Sequence, residues 1–384
     1  MPLHELVRNL LKVRPEQKSF LSIYLDLSPD GRGKKRPTLF LKNRLPELIK
    51  TLPTHSREQT SLARDLKRVQ KYLEEDLDPA WKGIALFSCA PEDLFLAVPM
   101  PLPPANALTL SSYPHLFSLA QQAGLYEPYA VLVADSRQAR LFVIQEGRPE
   151  KQISLFWEDR HTTRFGRMGL SLQKFQRHIQ EHAKQRAKET VENLGKLIGR
   201  RKIEPLFLVA EEGMEGEIRK QLPLSWKKKP VSLSSLDPHD PGHKILSGAL
   251  EALQIISREK AEALARQIIE EDQPLGRATL GAEPTLSALQ NHQIERLVLD
   301  RQFNATGWQC RGCGYLGMGG VPGSCPLCQK ASQPVELREE IVWRAQSPGI
   351  EISFPENFAP LIKAGGIGAL LKFKILRTKS RGVV

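Results

Sequence analysis

The sequence has no run of about 20 apolar residues, which is the length that a membrane-spanning helix requires. Its N-terminal apolar segment is interrupted by His4, Glu5 and Arg8, whereas a secretory signal peptide needs an unbroken apolar core and a small-residue cleavage site. Cysteine is also scarce, with 5 residues in 384. We therefore expect a cytoplasmic protein, in which paired cysteines indicate a metal site before they indicate disulfides.

Acidic residues are outnumbered by basic ones. The 55 Lys and Arg residues against 43 Asp and Glu residues give a formal net charge of +12 and a pI near 9.5. This excess favours a polyanionic partner, either nucleic acid or an anionic membrane surface, although composition alone fits a merely soluble basic protein equally well. The length suits two or three domains better than one core.

Helical and strand patterns alternate along the chain and predict mixed α/β domains. A proline cluster that ends at residue 104 and an acidic stretch before residue 274 mark the predicted boundaries. The central part begins with a predicted strand pair and contains a long predicted helix from about Ser171 to Leu197. The three predicted α/β domains are residues 1–104, 105–273 and 274–384.

Four of the cysteines have the spacing C-x2-C-x11-C-x2-C, formed by Cys310, Cys313, Cys325 and Cys328. Each C-x2-C pair places two thiolates on one tight turn, which suits two positions of a tetrahedral Zn²⁺ site. Four thiolates leave no open position for water, so the spacing predicts a structural zinc ion rather than a catalytic one. A redox-active cysteine pair and an iron–sulfur cluster are the alternatives.

A basic segment covers the loop before the long helix, the helix itself and the residues just after it. Residues 158–202 contain 12 Lys and Arg against 5 Asp and Glu. This density suits the neutralisation of RNA phosphates, although a basic helix face is also commonly just solvated. The candidate RNA-binding side chains are Arg160, Arg164 and Arg167 in the loop, Lys174, Arg177, His178, Lys184, Arg186 and Lys188 on the helix, and Arg200, Arg201 and Lys202 after it.

The same segment, FGRMGLSLQKFQRHI, resembles the catalytic loop of the archaeo-eukaryotic class-I release factors, whose pattern is G-R-G-G-Q-S-A-x-R-F. The matching residues are Gly166, Arg167, Gly169, Ser171 and Phe175. Three later segments resemble that family's third domain and follow one another in the same order. They are LGAEPTLSALQNHQIERLVL, the cysteine segment after it and the final AGGIGALLKF. The resemblance covers residues 126–384, and the first domain looks like the bacterial branch of this release factor and Pelota superfamily.

Two departures from the family pattern bear on activity. The family's G-G-Q is Met168-Gly169-Leu170 here, and a leucine side chain cannot hydrogen-bond the water that cleaves peptidyl-tRNA. The family's stop-codon signature N-I-K-S is absent from the first domain. Pelota, a rescue factor, and Balon, a ribosome hibernation factor, share this body and also lack the catalytic glutamine. The resemblance therefore implies no catalytic residues and no enzymatic activity.

By the same resemblance, we expect three domains arranged to mimic a tRNA in the ribosomal A site. The loop from Arg160 to Leu170, including Met168 and Gly169, would contact ribosomal RNA near the peptidyl-transferase centre, and the first domain would reach the decoding centre. The similarity to Balon implies elongation factor Tu as a partner, with no membrane and no small-molecule substrate. A peptidyl-tRNA hydrolase with an altered loop and a binding protein for another structured RNA remain the alternatives.

Overall fold

A computed structural model describes most of the chain. The described residues are 3–13, 19–29, 37–53, 56–157, 172–199, 201, 203–227 and 230–374. The chain divides into two compact units, one formed by residues 1–123 with 257–384 and the other by residues 124–256. Both are mixed α/β, as the sequence predicts, and the division into three domains stays a prediction. Among the described helices, none combines the length and apolar character needed to cross a bilayer.

The first part of the chain forms an antiparallel sheet with helices beside it. Its elements are α1 (Leu3–Lys12), β1 (Phe20–Asp26), α2 (Pro37–Lys50), α3 (Arg57–Glu75), β2 (Gly83–Cys89), β3 (Leu94–Met100), β4 (Ala107–Ser111) and α4 (Phe117–Gln121). The strand order is β3-β2-β1-β4. Because β1 and β2 are the central strands and lie buried on both faces, each has a continuous apolar sequence rather than an alternating one.

The proline-rich segment joins two strands of this sheet. It connects β3 to β4, and β4 pairs with β1 from Ser111 opposite Phe20 to Ala107 opposite Tyr24. The sheet therefore extends past the predicted boundary at residue 104. Gly83 permits the close packing of the prolines, because a Cβ atom at this position would lie 2.4 Å from Cδ of Pro104.

The second unit contains a five-stranded sheet and a long helix. The elements are β5 (Tyr129–Ala134), β6 (Gln138–Gln145), β7 (Arg148–Phe156), α5 (Leu172–Ile198), β8 (Leu206–Ala210), α6 (Glu212–Gln221), α7 (Leu224–Lys227), β9 (Pro230–Ser232) and α8 (Gly242–Glu271), which continues into the other unit. The order is β7-β6-β5-β8-β9, with β5, β8 and β9 parallel. The predicted helix periodicity is confirmed, since Ala187 and Leu194 of α5 pack in the core with Met214 and Ile218 of α6.

The last part of the chain forms two small sheets and three helices. Its elements are β10 (Ala278–Leu280), α9 (Ala282–Gln290), β11 (Ile294–Leu299), β12 (Thr306–Cys310), β13 (Leu316–Met318), β14 (Ser332–Glu336), α10 (Leu337–Gln346), β15 (Glu351–Ser353), α11 (Ala359–Lys363) and β16 (Ile367–Leu371). One sheet has the order β10-β16-β11-β15, and the other has the order β13-β12-β14. The second of these sheets carries the cysteine residues.

Candidate metal centre and basic helix

The structure brings the four predicted cysteine ligands together at one end of the β13-β12-β14 sheet. Cys310 ends β12, and the Cys325 and Cys328 pair precedes β14. The Sγ atoms of Cys310 and Cys328 are 3.4 Å apart, those of Cys313 and Cys325 are 3.7 Å apart, and all four lie within 4.8 Å of one another. Zn–S bonds of about 2.3 Å in a tetrahedron place the sulfur atoms about 3.8 Å apart. The cysteine set therefore fits one zinc ion.

The first cysteine of each pair is held by two backbone hydrogen bonds. Cys310 donates its N–H to the Tyr315 carbonyl at 2.9 Å, and the Gly314 N–H donates to the Cys310 carbonyl at 3.0 Å. Both bonds close the turn that carries the first C-x2-C pair, which fixes the direction of its two side chains.

The second pair repeats this turn with different residues. Cys325 donates its N–H to the Lys330 carbonyl at 2.8 Å, and the Gln329 N–H donates to the Cys325 carbonyl at 2.9 Å. The Leu327 N–H points at Cys325 Sγ at 3.4 Å, just as the Gly312 N–H points at Cys310 Sγ at 3.2 Å. Two equivalent turns thus face each other across the sulfur atoms.

The backbone around Cys310 favours its thiolate form. The N–H groups of Cys313 and Gly312 donate to its Sγ and hold the pKa of this thiol below its usual value, at about 6. Thiolates, rather than thiols, bind metals. Cys310 and Cys325 are buried, and Trp308 packs beside them. The arrangement suits a closed, structural centre.

Two helices hold the metal centre in place. Gln290 of α9 accepts the Leu316 N–H at 2.7 Å and donates its amide to the Leu316 carbonyl at 3.3 Å. Arg344 of α10 donates to the carbonyl of Gly314, in the turn beside Cys313. Loss of the metal would therefore disturb contacts with both helices.

Arg186, one of the predicted RNA-binding residues, is engaged within the second unit. Its guanidinium group donates to the Ser136 carbonyl in the β5–β6 turn and lies 5.7 Å from the centre of the Trp157 ring. Trp157 in turn donates its indole N–H to Glu189 at 2.9 Å. These contacts fix α5 against the sheet, and an RNA-binding role for Arg186 stays a prediction.

Arg177, Lys184 and Lys188 of α5 are exposed. Lys188 lies 4.0 Å from Glu192 one turn later, which is a weak surface pair. For Arg177 and Lys184, no ion pair is found among the described residues. These two side chains are seven residues apart and so lie on the same face of the helix, where they remain accessible to a phosphate backbone.

Arg201 is 2.6 Å from a carboxylate oxygen of Glu150, so its charge is already paired. The backbone of Lys174 and His178 belongs to α5, but their side chains lie outside the described part of the chain. The remaining predicted RNA-binding residues also lie outside the described residues: Arg160, Arg164, Arg167, Met168, Gly169, Leu170, Arg200 and Lys202.

The structure also contains a second cluster, formed by His115, Glu336 and Glu339, that the sequence analysis missed. Burial raises the pKa of Glu339 to about 7 and lowers that of His115 to about 4, because both groups lose contact with water. His115 precedes α4 and the two glutamates lie more than 200 positions later in the chain. No local spacing could therefore have revealed the cluster.

The central part of the chain is similar to release-factor domains of the archaeo-eukaryotic type. Residues 114–254 match the model of bacterial archaeo-eukaryotic release factor family 10. This match confirms, for the central segment, the resemblance to the release factor and Pelota superfamily noted in the sequence. No curated protein sequence matches the chain significantly.

Several solved structures are distantly similar. Pelota of Archaeoglobus fulgidus is 11% identical over 97% of this chain and 93% of its own, with a TM-score of 0.37. Archaeal Pelota, in a model of its ribosome-bound form with ABCE1, is 9% identical over 97% of this chain and 94% of its own, with a TM-score of 0.41. An archaeal translation termination factor, aRF1, is 14% identical over 97% of both chains, with a TM-score of 0.26. Scores this low carry no argument about a shared arrangement of domains.

Proposed function

We propose that this protein binds the ribosome and occupies its A site without releasing the nascent peptide, as a hibernation factor or a factor for stalled ribosomes. The observation that carries the proposal is the match of residues 114–254 to a release-factor family. Leu170 stands where the family has its catalytic glutamine, and its side chain has no hydrogen-bonding group. A release-factor domain without this group retains a means of binding but lacks the group that positions water.

The surface of α5 supports RNA as the ligand. Arg177 and Lys184 are exposed on one face, and the chain carries a net charge of +12. Side chains of this kind bind phosphates without reading sequence, and structured RNA is recognised mainly by its shape and backbone. Ribosomal RNA of the A site, in both subunits, is thus the proposed ligand, and elongation factor Tu is the proposed protein partner.

The four cysteines support a structural role for Zn²⁺ in this function. The metal would hold the β13-β12-β14 sheet and its contacts to α9 and α10, since each cysteine pair lies on a hydrogen-bonded turn. With four thiolates as ligands the ion has no free position for a substrate. We propose that it shapes the surface of the last domain and takes no part in chemistry.

Competition on the ribosome tests the proposed site. Purified protein is sedimented with vacant 70S ribosomes and with ribosomes whose A site is filled by a tRNA. We expect binding to vacant ribosomes and its loss when the A site is filled. Undiminished binding to the filled ribosomes would place the protein elsewhere and overturn the A-site proposal.

Two further outcomes identify the alternatives. Equal affinity for 70S ribosomes and for an unrelated structured RNA of similar length would favour a general RNA-binding protein. Release of labelled peptide from ribosome-bound peptidyl-tRNA would favour a hydrolase. Immobilised protein incubated with purified elongation factor Tu, in the presence and absence of ribosomes, tests the proposed partner.

A further inference from the structure

His115 faces two carboxylates from a distant part of the chain. It lies in the segment between β4 and α4, whereas Glu336 ends β14 and Glu339 lies in the first turn of α10. Nδ1 of His115 is 3.6 Å from Oε2 of Glu336 and 3.6 Å from Oε1 of Glu339. The three atoms converge within one compact unit of the chain.

Each carboxylate is held through its other oxygen. Oε2 of Glu339 accepts the N–H groups of Leu116 and Phe117 at 2.8 and 3.0 Å. Oε1 of Glu336 lies 3.7 Å from the Arg338 guanidinium group. On each glutamate, the oxygen that faces His115 is therefore the one without these contacts. Two N–H donors fix the direction of the Glu339 carboxylate, and an ion pair with Arg338 lies behind that of Glu336. Ligands of metal ions are commonly oriented in this way.

The imidazole ring is also fixed in place. The His115 backbone donates its N–H to Ser22 Oγ at 3.1 Å and accepts the Tyr24 hydroxyl at 2.7 Å. The Tyr113 ring stacks on the imidazole at 5.5 Å with an angle of 12° between the planes. The contacts with β1 hold the His115 backbone, and the stacked Tyr113 ring restricts the imidazole.

The separations match ligands around an ion better than hydrogen-bonded partners. At 3.6 Å, neither carboxylate is within hydrogen-bond distance of Nδ1, so this nitrogen has no hydrogen-bond partner among the described residues. Imidazole nitrogen and carboxylate oxygen bind Zn²⁺ at about 2.0–2.2 Å, which places ligands about 3.4 Å apart in a tetrahedral site. A cation between the three atoms would also stabilise the ionised form of the two carboxylates, beside which Arg338 supplies a positive charge.

We propose that His115, Glu336 and Glu339 bind a second divalent cation, of the Zn²⁺ class, separate from the four-cysteine centre. Glu336 is 53% exposed, so the ion can enter from solvent and keep water in its fourth position. The bound cation would fasten the 113–117 segment to α10, and with it the first 123 residues to the last part of the same unit. This proposal does not depend on ribosome binding.

Metal content measured by equilibrium dialysis tests the proposal. Full-length protein is dialysed against micromolar Zn²⁺, and bound zinc is counted in wild type, in Glu336→Gln and in the control Glu351→Gln, which changes an exposed glutamate elsewhere. We expect two zinc ions in wild type and in the control, and one in Glu336→Gln. Glu336→Gln keeps the shape of a half-exposed side chain, so the variant should fold.

Cobalt substitution assigns each ion to its site. Co²⁺ bound by four thiolates absorbs strongly through sulfur-to-metal charge transfer, whereas Co²⁺ bound by nitrogen and oxygen ligands shows weak visible bands only. We expect Glu336→Gln to lose weak bands alone, and His115→Ala to behave in the same way if it folds. One zinc ion in wild type, or a second ion that Glu336→Gln retains, would overturn the proposal.

Discussion

Gly314 and Gln329 occupy the same position in the two cysteine turns, and both have a positive φ, of 72° and 60° respectively. Each donates its N–H to the carbonyl of the first cysteine of its pair. The two turns therefore have the same backbone path, but only one of them uses glycine, the residue that takes this conformation without steric cost. A substitution should consequently affect the two turns differently.

Gly314→Ala should destabilise the zinc-loaded protein by about 1 kcal/mol, because alanine disfavours a positive φ. Gln329→Gly should change the free energy of unfolding by less than about 0.5 kcal/mol, since relief of the positive φ is offset by the greater freedom of glycine in the unfolded chain. Chemical denaturation measures both. Gly320→Ala is the control, because a Cβ atom there meets nothing within 4 Å. Equal losses for Gly314→Ala and the control would contradict this account.

Removal of zinc should unfold the β13-β12-β14 sheet locally. We expect about one tightly bound zinc ion at the cysteines and a lower melting temperature after chelation. Cys310→Ser should reduce zinc affinity strongly, since a buried thiolate ligand is lost. Metal analysis and differential scanning calorimetry measure these effects. A melting curve that chelation leaves unchanged would show that the ion does not stabilise the fold.

Cys89 should resist alkylation in the folded protein. Burial raises the pKa of its thiol to about 11, so only about one molecule in a thousand carries the reactive thiolate at pH 8. We expect iodoacetamide to modify Cys313 once chelation has unfolded the turns of the metal centre, and to modify Cys89 only after global unfolding. Mass spectrometry of the labelled peptides distinguishes the two. Rapid labelling of Cys89 in the native protein would show that β2 opens readily.

Local patterns in the sequence were sufficient to predict the grouping of the four cysteines and the long helix α5. The spacing of Cys310 and Cys313 is a local property, and the ladder of apolar residues in α5 is equally local. Local patterns did not predict strand β4. It is half-buried at the edge of its sheet, and its five residues follow the prolines that indicated a domain boundary.

Contacts between segments that are distant in the sequence determine the features that the sequence could not predict. Ser332–Glu336 directly precede α10, yet they form strand β14 because they pair with β12. The cluster at His115 likewise exists only because α10 packs beside the 113–117 segment. Such contacts depend on tertiary structure, which overrides local propensity.

The exposed face of α5 should drive ribosome binding. Replacing Arg177 and Lys184 together with Glu should weaken binding and reduce its salt dependence, because fewer counterions are released. The matched control is Arg258→Glu with Lys260→Glu, which makes the same charge change on exposed positions of α8. Sedimentation at several salt concentrations gives the affinities. If both double variants lose affinity equally, net charge rather than the α5 face governs binding.

Peptide release tests the altered loop. We expect wild type to release no appreciable peptide, because a donor that positions water or an oxyanion typically contributes about 10²–10³ in rate and Leu170 supplies none. Leu170→Gln alone should restore little, since Met168 replaces a glycine that the family keeps bare for close approach. The double change Met168→Gly with Leu170→Gln should gain measurable release from ribosomes that carry labelled peptidyl-tRNA.

Wild-type release as fast as that of the double variant would favour the hydrolase alternative. Ribosome binding without release by either protein would show that the domain docks with its loop away from the peptidyl-transferase centre.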